Sequence, residues 1–241
     1  MKKPYTIRAA GRGSLEILLF DEIGENFVGE GTSAKSFAED LAAAGPGITD
    51  VHLRVNSPGG NVFDGIAIFN TLLTHGAKVT AAVEGLAASI ASVIIMAASQ
   101  ISMAQSSLLM LHNPYAGVLG GDAADMRAMA EVLDKVKDSM IGAYRRHTNK
   151  SKAELSAMLN AETWLSANEA QDAGFVEEVT DPGDAEDMPL AANLDISRFR
   201  NIPQQLAARL TARAAPATQI SDAERERRRL RLELTKRLNP I

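Results

Sequence analysis

No cysteine occurs among the 241 residues. Its absence excludes disulfides, thiolate catalysis and cysteine-ligated metal sites, and it fits a reducing compartment. There is no large excess of charge of one sign: the net charge of −5 gives no global pull toward nucleic acid or an anionic membrane. There is also no long hydrophobic run. The most apolar stretch, Leu86 to Ala98, is interrupted by Ser89 and Ser92, is too short to span a bilayer and reads as a buried helix. The opening "MKKPYTIRAAGRGSLEILLF" has two lysines but no long apolar core and no small-residue cleavage site, so it does not read as a signal peptide. Histidine is scarce too, with four in the chain, which leaves few candidates for a general base. These absences describe a soluble protein. The rest of the composition, 46% hydrophobic and 23% charged, is ordinary for a globular chain with one full core plus appendages.

Apolar spacing predicts strands at 15–24, 50–57, 78–85, 100–104, 107–112 and 175–180. Helices are expected at 33–45, from Phe63 onward, at 87–99, at 122–148 and from the capping box "SANE" (166–169) to Gly174. In 122–148, Met126, Met129, Leu133, Val136, Met140 and Tyr144 recur at three- and four-residue steps, an amphipathic stripe behind Asp122 as N-cap. Strand and helix alternating through 15–180 imply an α/β fold with crossover connections. Residues 1–14 form an N-terminal segment outside this pattern. The composition changes near Asp181, where the turn-rich acidic "DPGDAEDMP" opens a linker region (181–221) that ends in the small-residue "RAAPATQIS". The tail 222–241 carries seven basic and four acidic residues and a leucine stripe at Leu230, Leu234 and Leu238. It reads as a solvated, partly helical extension or as a docking segment.

The chemistry concentrates in three places. "VNSPGGNV" (55–62) joins a strand to a helix, and its glycines permit either a plain turn or a backbone N–H aimed at a reacting group. Ser89, in "EGLAASIAS", lies where a strand runs into a helix. A serine there is a cap, or a nucleophile whose developing charge the helix N-terminus favours. His112 closes "SLLMLH", either as a structural strand-end residue or as a base able to meet a hydroxyl. His52 lies inside a strand, and His75 and His147 sit near helix ends beside polar residues, where solvation accounts for them.

Together, "VNSPGGNVFDGIAIFNTL", "VEGLAASIASVIIMAAS", "LMLHNP" and "WLSANEAQDAGFVEEV" resemble successive blocks of the ClpP family, the proteolytic subunit of Clp proteases, in the family's order and at nearly its spacing. The resemblance covers about residues 15–180. It implies a ClpP/crotonase-like α/β fold of stacked β-α units, with 122–148 as the protruding handle helix and a C-terminal extension. It places the nucleophile on Ser89, the general base on His112 and the oxyanion-hole amides on Gly60 and Ile90. The third member, an aspartate in the family, falls on Glu162 in "LNAETWLS". A glutamate also orients histidines in serine hydrolases, but its extra methylene requires a different backbone placement. The nearest aspartate, Asp172, matches no catalytic position.

The implied activity is a serine endopeptidase acting on polypeptides through an acyl-enzyme, with no metal, organic cofactor, nucleic acid or membrane. The implied assembly is a ring-forming homo-oligomer. Residues 1–14 do not resemble the family's axial loops, and the extension past 181 is longer than in the compact cellular form. Both features resemble the phage and prophage branch, whose head maturation proteases process capsid and scaffold proteins, in the cytoplasm of a bacterial host. The alternatives are a cellular subunit paired with an AAA+ ATPase, a crotonase-type acyl-CoA enzyme, a Ser–Lys peptidase of the signal-peptide-peptidase type, and an inactive ring protein.

Overall fold

The computed structural model describes residues 5–24, 32–117, 120–181 and 199–203. The chain divides into two units, Met1–Asn201 and Ile202–Ile241, and the first carries all that follows. The region 204–241, with the expected tail helix, and most of the acidic linker lie outside the described residues.

The first unit is built on an eight-stranded sheet. In chain order its elements are β1 (Tyr5–Gly11), β2 (Ser14–Leu19), α1 (Ala34–Ala43), β3 (Asp50–Ser57), α2 (Val62–Thr74) and β4 (Lys78–Ala88). There follow α3 (Ile90–Ile94), a 3-10 turn (Ile95–Ala97), β5 (Gln100–Ala104), β6 (Leu108–Leu111) and α4 (Ala123–Tyr144). The unit ends with α5 (Lys152–Ala161), β7 (Thr163–Ser166), α6 (Ala167–Asp172) and β8 (Glu178–Thr180). The main sheet runs β1-β2-β3-β4-β5-β8, parallel from β2 to β8, with β1 antiparallel at one edge. This is the crossover-connected α/β architecture that the alternating pattern predicts.

Strand β4 takes two partners in succession. Thr80–Val83 pair with β5, and Leu86–Ala88 pair in parallel with Leu108–Met110 of β6. Strand β6 then pairs antiparallel with β7. The fork explains one difference from the spacing. The stretch 86–88 continues the strand and does not open the helix, so α3 begins at Ile90 and not at Ala87. All of α3 is buried, which removes the one-sided pattern that would mark its start. Strand β1 falls in the segment 1–14 and is paired over nearly its whole length with β2; it carries only one fully buried side chain, Tyr5, too weak an alternation to announce a strand. Helix α5 and strand β7 were not expected either.

The caps follow the sequence closely. Asn61 accepts from the N–H groups of Phe63 and Asp64 at the head of α2, and Asp122 with Asp125 forms a capping box on α4. Ser151 with Glu154, and Ser166 with Glu169, do the same for α5 and α6. Helix α4 has two halves. Val136, Met140, Ile141 and Tyr144 are buried, whereas Met126 and Val132 are 53% and 40% exposed. The methionine stripe is therefore core at one end and solvent-facing at the other.

Candidate active site

Ser89 stands one residue past the end of β4, and His112 one residue past the end of β6. Because Ala88 pairs with Met110 in parallel register, the two residues leave the sheet side by side. Nε2 of His112 lies 2.7 Å from Oγ of Ser89. Ser89 occupies the N-cap position of α3 but its side chain makes no cap hydrogen bond. The hydroxyl is thus directed at a histidine and not at the N–H groups of the helix.

The backbone at Ser89 is unusual, with φ 56° and ψ −129°. Among the described residues, Ser89 and Glu162 are the two non-glycine positions with positive φ. Such conformations cost of order 1–3 kcal/mol each and persist only where neighbours impose them. At Ser89 the neighbours are visible. Its N–H donates to the Met110 carbonyl at 2.9 Å, and its own carbonyl accepts the N–H of Ser92 at 3.0 Å and the Ser92 hydroxyl. Oγ of Ser92 in turn lies 2.8 Å from the hydroxyl of Tyr144, a fully buried residue on α4. Burial pushes the Tyr144 phenol well above its ordinary range, only partly offset by the Ser92 contact, so it is a neutral hydrogen-bonding partner.

The SPGG loop is pressed against this turn. A Cβ on Gly59 (φ +83°) would stand 2.6 Å from the Ala88 carbonyl oxygen, 2.7 Å from Cβ of Ser89 and 3.1 Å from the Ile90 nitrogen. No side chain fits there. On its far side the loop is tied down by Ile23, whose N–H donates to the Gly59 carbonyl at 2.9 Å and whose carbonyl accepts from Asn61 at 2.7 Å. A Cβ on Gly60 (φ +151°) would meet the Ile23 carbonyl at 2.0 Å. The loop holding Gly60 and the first residue of α3, Ile90, are thus neighbours, and the first N–H groups of a helix have no intrahelical acceptor.

Glu162 is placed by the third pairing. Leu111 opposes Thr163 in the antiparallel β6–β7 register, so His112 and Glu162, the next residues outward, leave the same end of this strand pair. Glu162 is the left-handed cap of α5 (φ 51°, ψ 73°). Its Oε1 accepts the backbone N–H of Arg200 at 2.6 Å and of Asn201 at 2.7 Å. The ring of Phe199 meets the His112 imidazole edge-on at 5.5 Å and that of Trp164 at 5.6 Å, while Tyr115 lies 5.7 Å from the imidazole on another side. His112 is 9% exposed.

The remaining histidines lie elsewhere. Nδ1 of His52 is 2.9 Å from Oγ1 of Thr80 on the outer sheet surface. His147 is not a solvated helix-end residue: its ring is buried, with Nδ1 2.8 Å from Glu177 and Nε2 3.1 Å from the Ala98 carbonyl. Asp172 ends α6 in an exposed position. Among the described residues no group of three metal-ligating side chains exists, and no helix is long and apolar enough to cross a membrane.

A family model described as Clp protease matches residues 27–183, well over half of the chain. The chain belongs to the Clp protease family. Among its relatives, the ATP-dependent Clp protease proteolytic subunit 3 of Rhodococcus jostii is 35% identical over 142 residues, 58% of this chain and 69% of that protein. The ATP-dependent Clp protease proteolytic subunit 2 of Nocardia farcinica is 33% identical, over 54% of this chain and 64% of its own length. Subunit 1 of Protochlamydia amoebophila is 34% identical, over 52% and 62%. Against the last two, the match spans less than two-thirds of the relative. Membership places this Clp protease among the peptidases, and its mixed α/β sheet is the fold that the resemblance implies.

Several residues that touch the site in this Clp protease were not singled out by sequence. The doubled glycine of SPGG was a signal for Gly59, since a loop needing only one unusual φ needs only one glycine. Ser92 and Tyr144 carry no such signal, because each reads as an ordinary helical position. Phe199 lies in a region whose composition suggests only linker.

Proposed function

We propose that this Clp protease is a serine endopeptidase with Ser89 as nucleophile, His112 as general base and Glu162 as the carboxylate that steadies the imidazole. The observation that carries the reading is the 2.7 Å separation of His112 Nε2 and Ser89 Oγ, at a serine held in a strained turn and not used as a cap. In this mechanism Oγ attacks a peptide carbonyl as Nε2 takes its proton. The N–H groups of Gly60 and Ile90 receive the developing oxyanion. The imidazolium then protonates the leaving amine, and water, deprotonated by the same imidazole, releases the acyl-enzyme. The β6–β7 register, which brings Glu162 and His112 out at the same end of the strand pair, supports its part. A carboxylate in that position stabilises the imidazolium without itself taking up the proton. Neither metal nor organic cofactor enters any step.

The test is fluorophosphonate labelling and peptide cleavage by the purified chain, read by intact-mass spectrometry. One phosphonyl adduct on the native chain and none on Ser89→Ala is expected; peptide cleavage retained by a folded Ser89→Ala variant would refute the assignment. A crotonase-type acyl-CoA enzyme takes no such label.

The biological role we infer is maturation of a phage or prophage head, by cleavage of capsid or scaffold proteins in the bacterial cytoplasm by a homo-oligomeric ring. The chain continues well past the family match, which ends at residue 183, and the solvent-facing Met126 and Val132 of α4 suit a subunit contact. The second reading is a cellular subunit working with an AAA+ ATPase, favoured by the relatives' names as ATP-dependent subunits. Native mass spectrometry reads the ring. Cleavage of a folded scaffold protein without ATP supports the first role, whereas cleavage only with an added ATPase and ATP supports the second.

A further inference from the structure

Three consecutive residues beyond the family match return to the candidate active site. Phe199 is 5% exposed and sets its ring edge against both His112 and Trp164. Arg200 and Asn201 give their backbone N–H groups to one oxygen of Glu162. The Asn201 side-chain amide donates to the Ala161 carbonyl at 2.7 Å, closing the segment onto the end of α5. In this way one short stretch touches the base, the carboxylate and the turn that presents that carboxylate.

We propose that Phe199–Asn201 is a positioning strap, through which the C-terminal extension fixes the geometry of His112 and Glu162. The inference rests on the serine-peptidase reading of the same site. Two observations give it direction. First, the strap covers the histidine and carboxylate side while Ser89 itself remains partly exposed. A plug would bury the nucleophile; this segment leaves it open. Second, Glu162 carries its carboxylate on a side chain with three torsions and sits in a left-handed backbone conformation. A long arm on a strained backbone needs an external hold, and two amide donors on one oxygen supply it. Backbone donors suit the purpose, since their direction is set by the chain and not by a rotamer. The edge-on phenyl ring limits how far the imidazole can tilt. The contacts of these residues are with His112, Glu162, Trp164 and Ala161, so their action is through the base and the carboxylate.

The experiment uses the full-length chain with Phe199→Ala, Phe199→Tyr, Asn201→Pro and Asn201→Ala. Folding is checked by circular dichroism, and the rate of fluorophosphonate acylation is followed from acid to neutral pH. Phe199→Ala is expected to slow acylation about 10-fold and to displace the pH midpoint of the rate, with little change in KM for a peptide, as expected when a base is misplaced. Phe199→Tyr, which keeps the ring, restores the rate to within about 3-fold of the native chain. Asn201→Pro removes a donor to Glu162 and slows acylation more than Asn201→Ala, which keeps it. An unchanged or faster rate in Phe199→Ala overturns the proposal, the faster rate marking the segment as a plug. A second readout does not depend on activity: in full-length Ser89→Ala, the ring-proton shifts of His112 are compared by NMR with Phe199 present and replaced by Leu. Shifts that do not move overturn the strap whatever the labelling shows. Shifts that move while the native chain takes no label at Ser89 keep the strap and sink the serine-peptidase reading.

Discussion

Two polar clusters in this chain are built in opposite ways. On the outer sheet surface Arg8, Glu16, Arg54 and Glu84 stand on four adjacent strands and pair in a line, Arg8 with Glu16, Arg54 with both Glu16 and Glu84. Their backbones are regular, the pattern of charge alternates, and each carboxylate has a guanidinium beside it. Around Ser89 the polar groups are hydroxyls, backbone amides, one imidazole and one carboxylate, and the two positive-φ non-glycine residues among the described ones, Ser89 and Glu162, are found there. The first cluster takes its geometry from the sheet. The second departs from ordinary geometry and is held by contacts from β6, α4, the SPGG loop and the strap. Strain of this kind persists only where the surroundings impose it, and it is the pattern expected of the proposed site.

The largest test of this contrast is at the strained serine. Ser89→Ala is expected to lower peptide cleavage by at least ~10³-fold. Ser89→Gly is equally inactive, yet more stable than Ser89→Ala by about 1 kcal/mol in urea unfolding, because glycine tolerates positive φ. If the alanine and glycine variants unfold at the same midpoint, the turn is not strained and the contrast with the sheet face fails. Next in size is Gly59→Ala. Its Cβ would enter space held by Ala88 and Ser89 at a positive φ, so a loss of about 2–4 kcal/mol is expected, by combined overpacking and backbone strain. Cleavage should fall ~10²-fold as the loop is pushed from the proposed oxyanion position.

A smaller effect is expected at the far end of the chain of hydroxyls. Tyr144→Phe removes one buried hydrogen bond to Ser92 and should cost about 1–2 kcal/mol. Ser92→Ala should cost a similar amount, and the two together less than their sum, since they share one contact. Turnover should fall a few-fold (~3–5-fold) in each, because the Ser89 carbonyl loses part of its anchor. A double-mutant cycle that is strictly additive would separate α4 from the Ser89 turn.

The two clusters also differ in how well the sequence announces them. The SPGG loop, the helix caps and the strand cores were legible because each is a local pattern: turn residues, an acceptor three positions before a donor, apolar alternation. Ser89 and His112 were legible only as a pair at two strand ends. Their meeting depends on the β4–β6 register, and no periodicity reports that. The beginning of α3 was misplaced since "LAA" serves equally well as strand or helix once every side chain is buried. His147 was read as solvated because helix ends usually are, whereas Glu177, thirty residues away in the chain, comes back to pair with it. Phe199 was invisible for the same reason. Its two aromatic partners lie on β7 and at the end of β6, and nothing in "SRFRN" predicts a fold-back.

The smallest effects belong to the charged ladder, and their pH dependence fixes their sign. Desolvation pushes the Glu16 carboxyl up, but the hydrogen bonds and charges of Arg8 and Arg54 outweigh it, so its affinity for a proton lies below the ordinary carboxyl range. Arg54 is shifted upward, chiefly by Glu84 and against its own desolvation. A carboxyl with a folded pKa below its unfolded one binds fewer protons when folded. Its stabilisation is therefore complete above the unfolded value and is lost as pH falls toward the lowered one. The sites are partly exposed, so screening limits the gain. Arg54→Met is expected to cost no more than about 1 kcal/mol at neutral pH and low salt. That difference should shrink in ~1 M salt and vanish at acid pH, where Glu16 is protonated in both states. Peptide cleavage and Ser89 labelling by Arg54→Met should match the native chain at neutral pH. A matched pair of urea titrations at neutral and acid pH measures the effect. A penalty that persists in acid would assign Arg54 a packing role, through its stem and its stacking on Phe20, and would make the sheet face resemble the Ser89 turn more than its regular strands suggest.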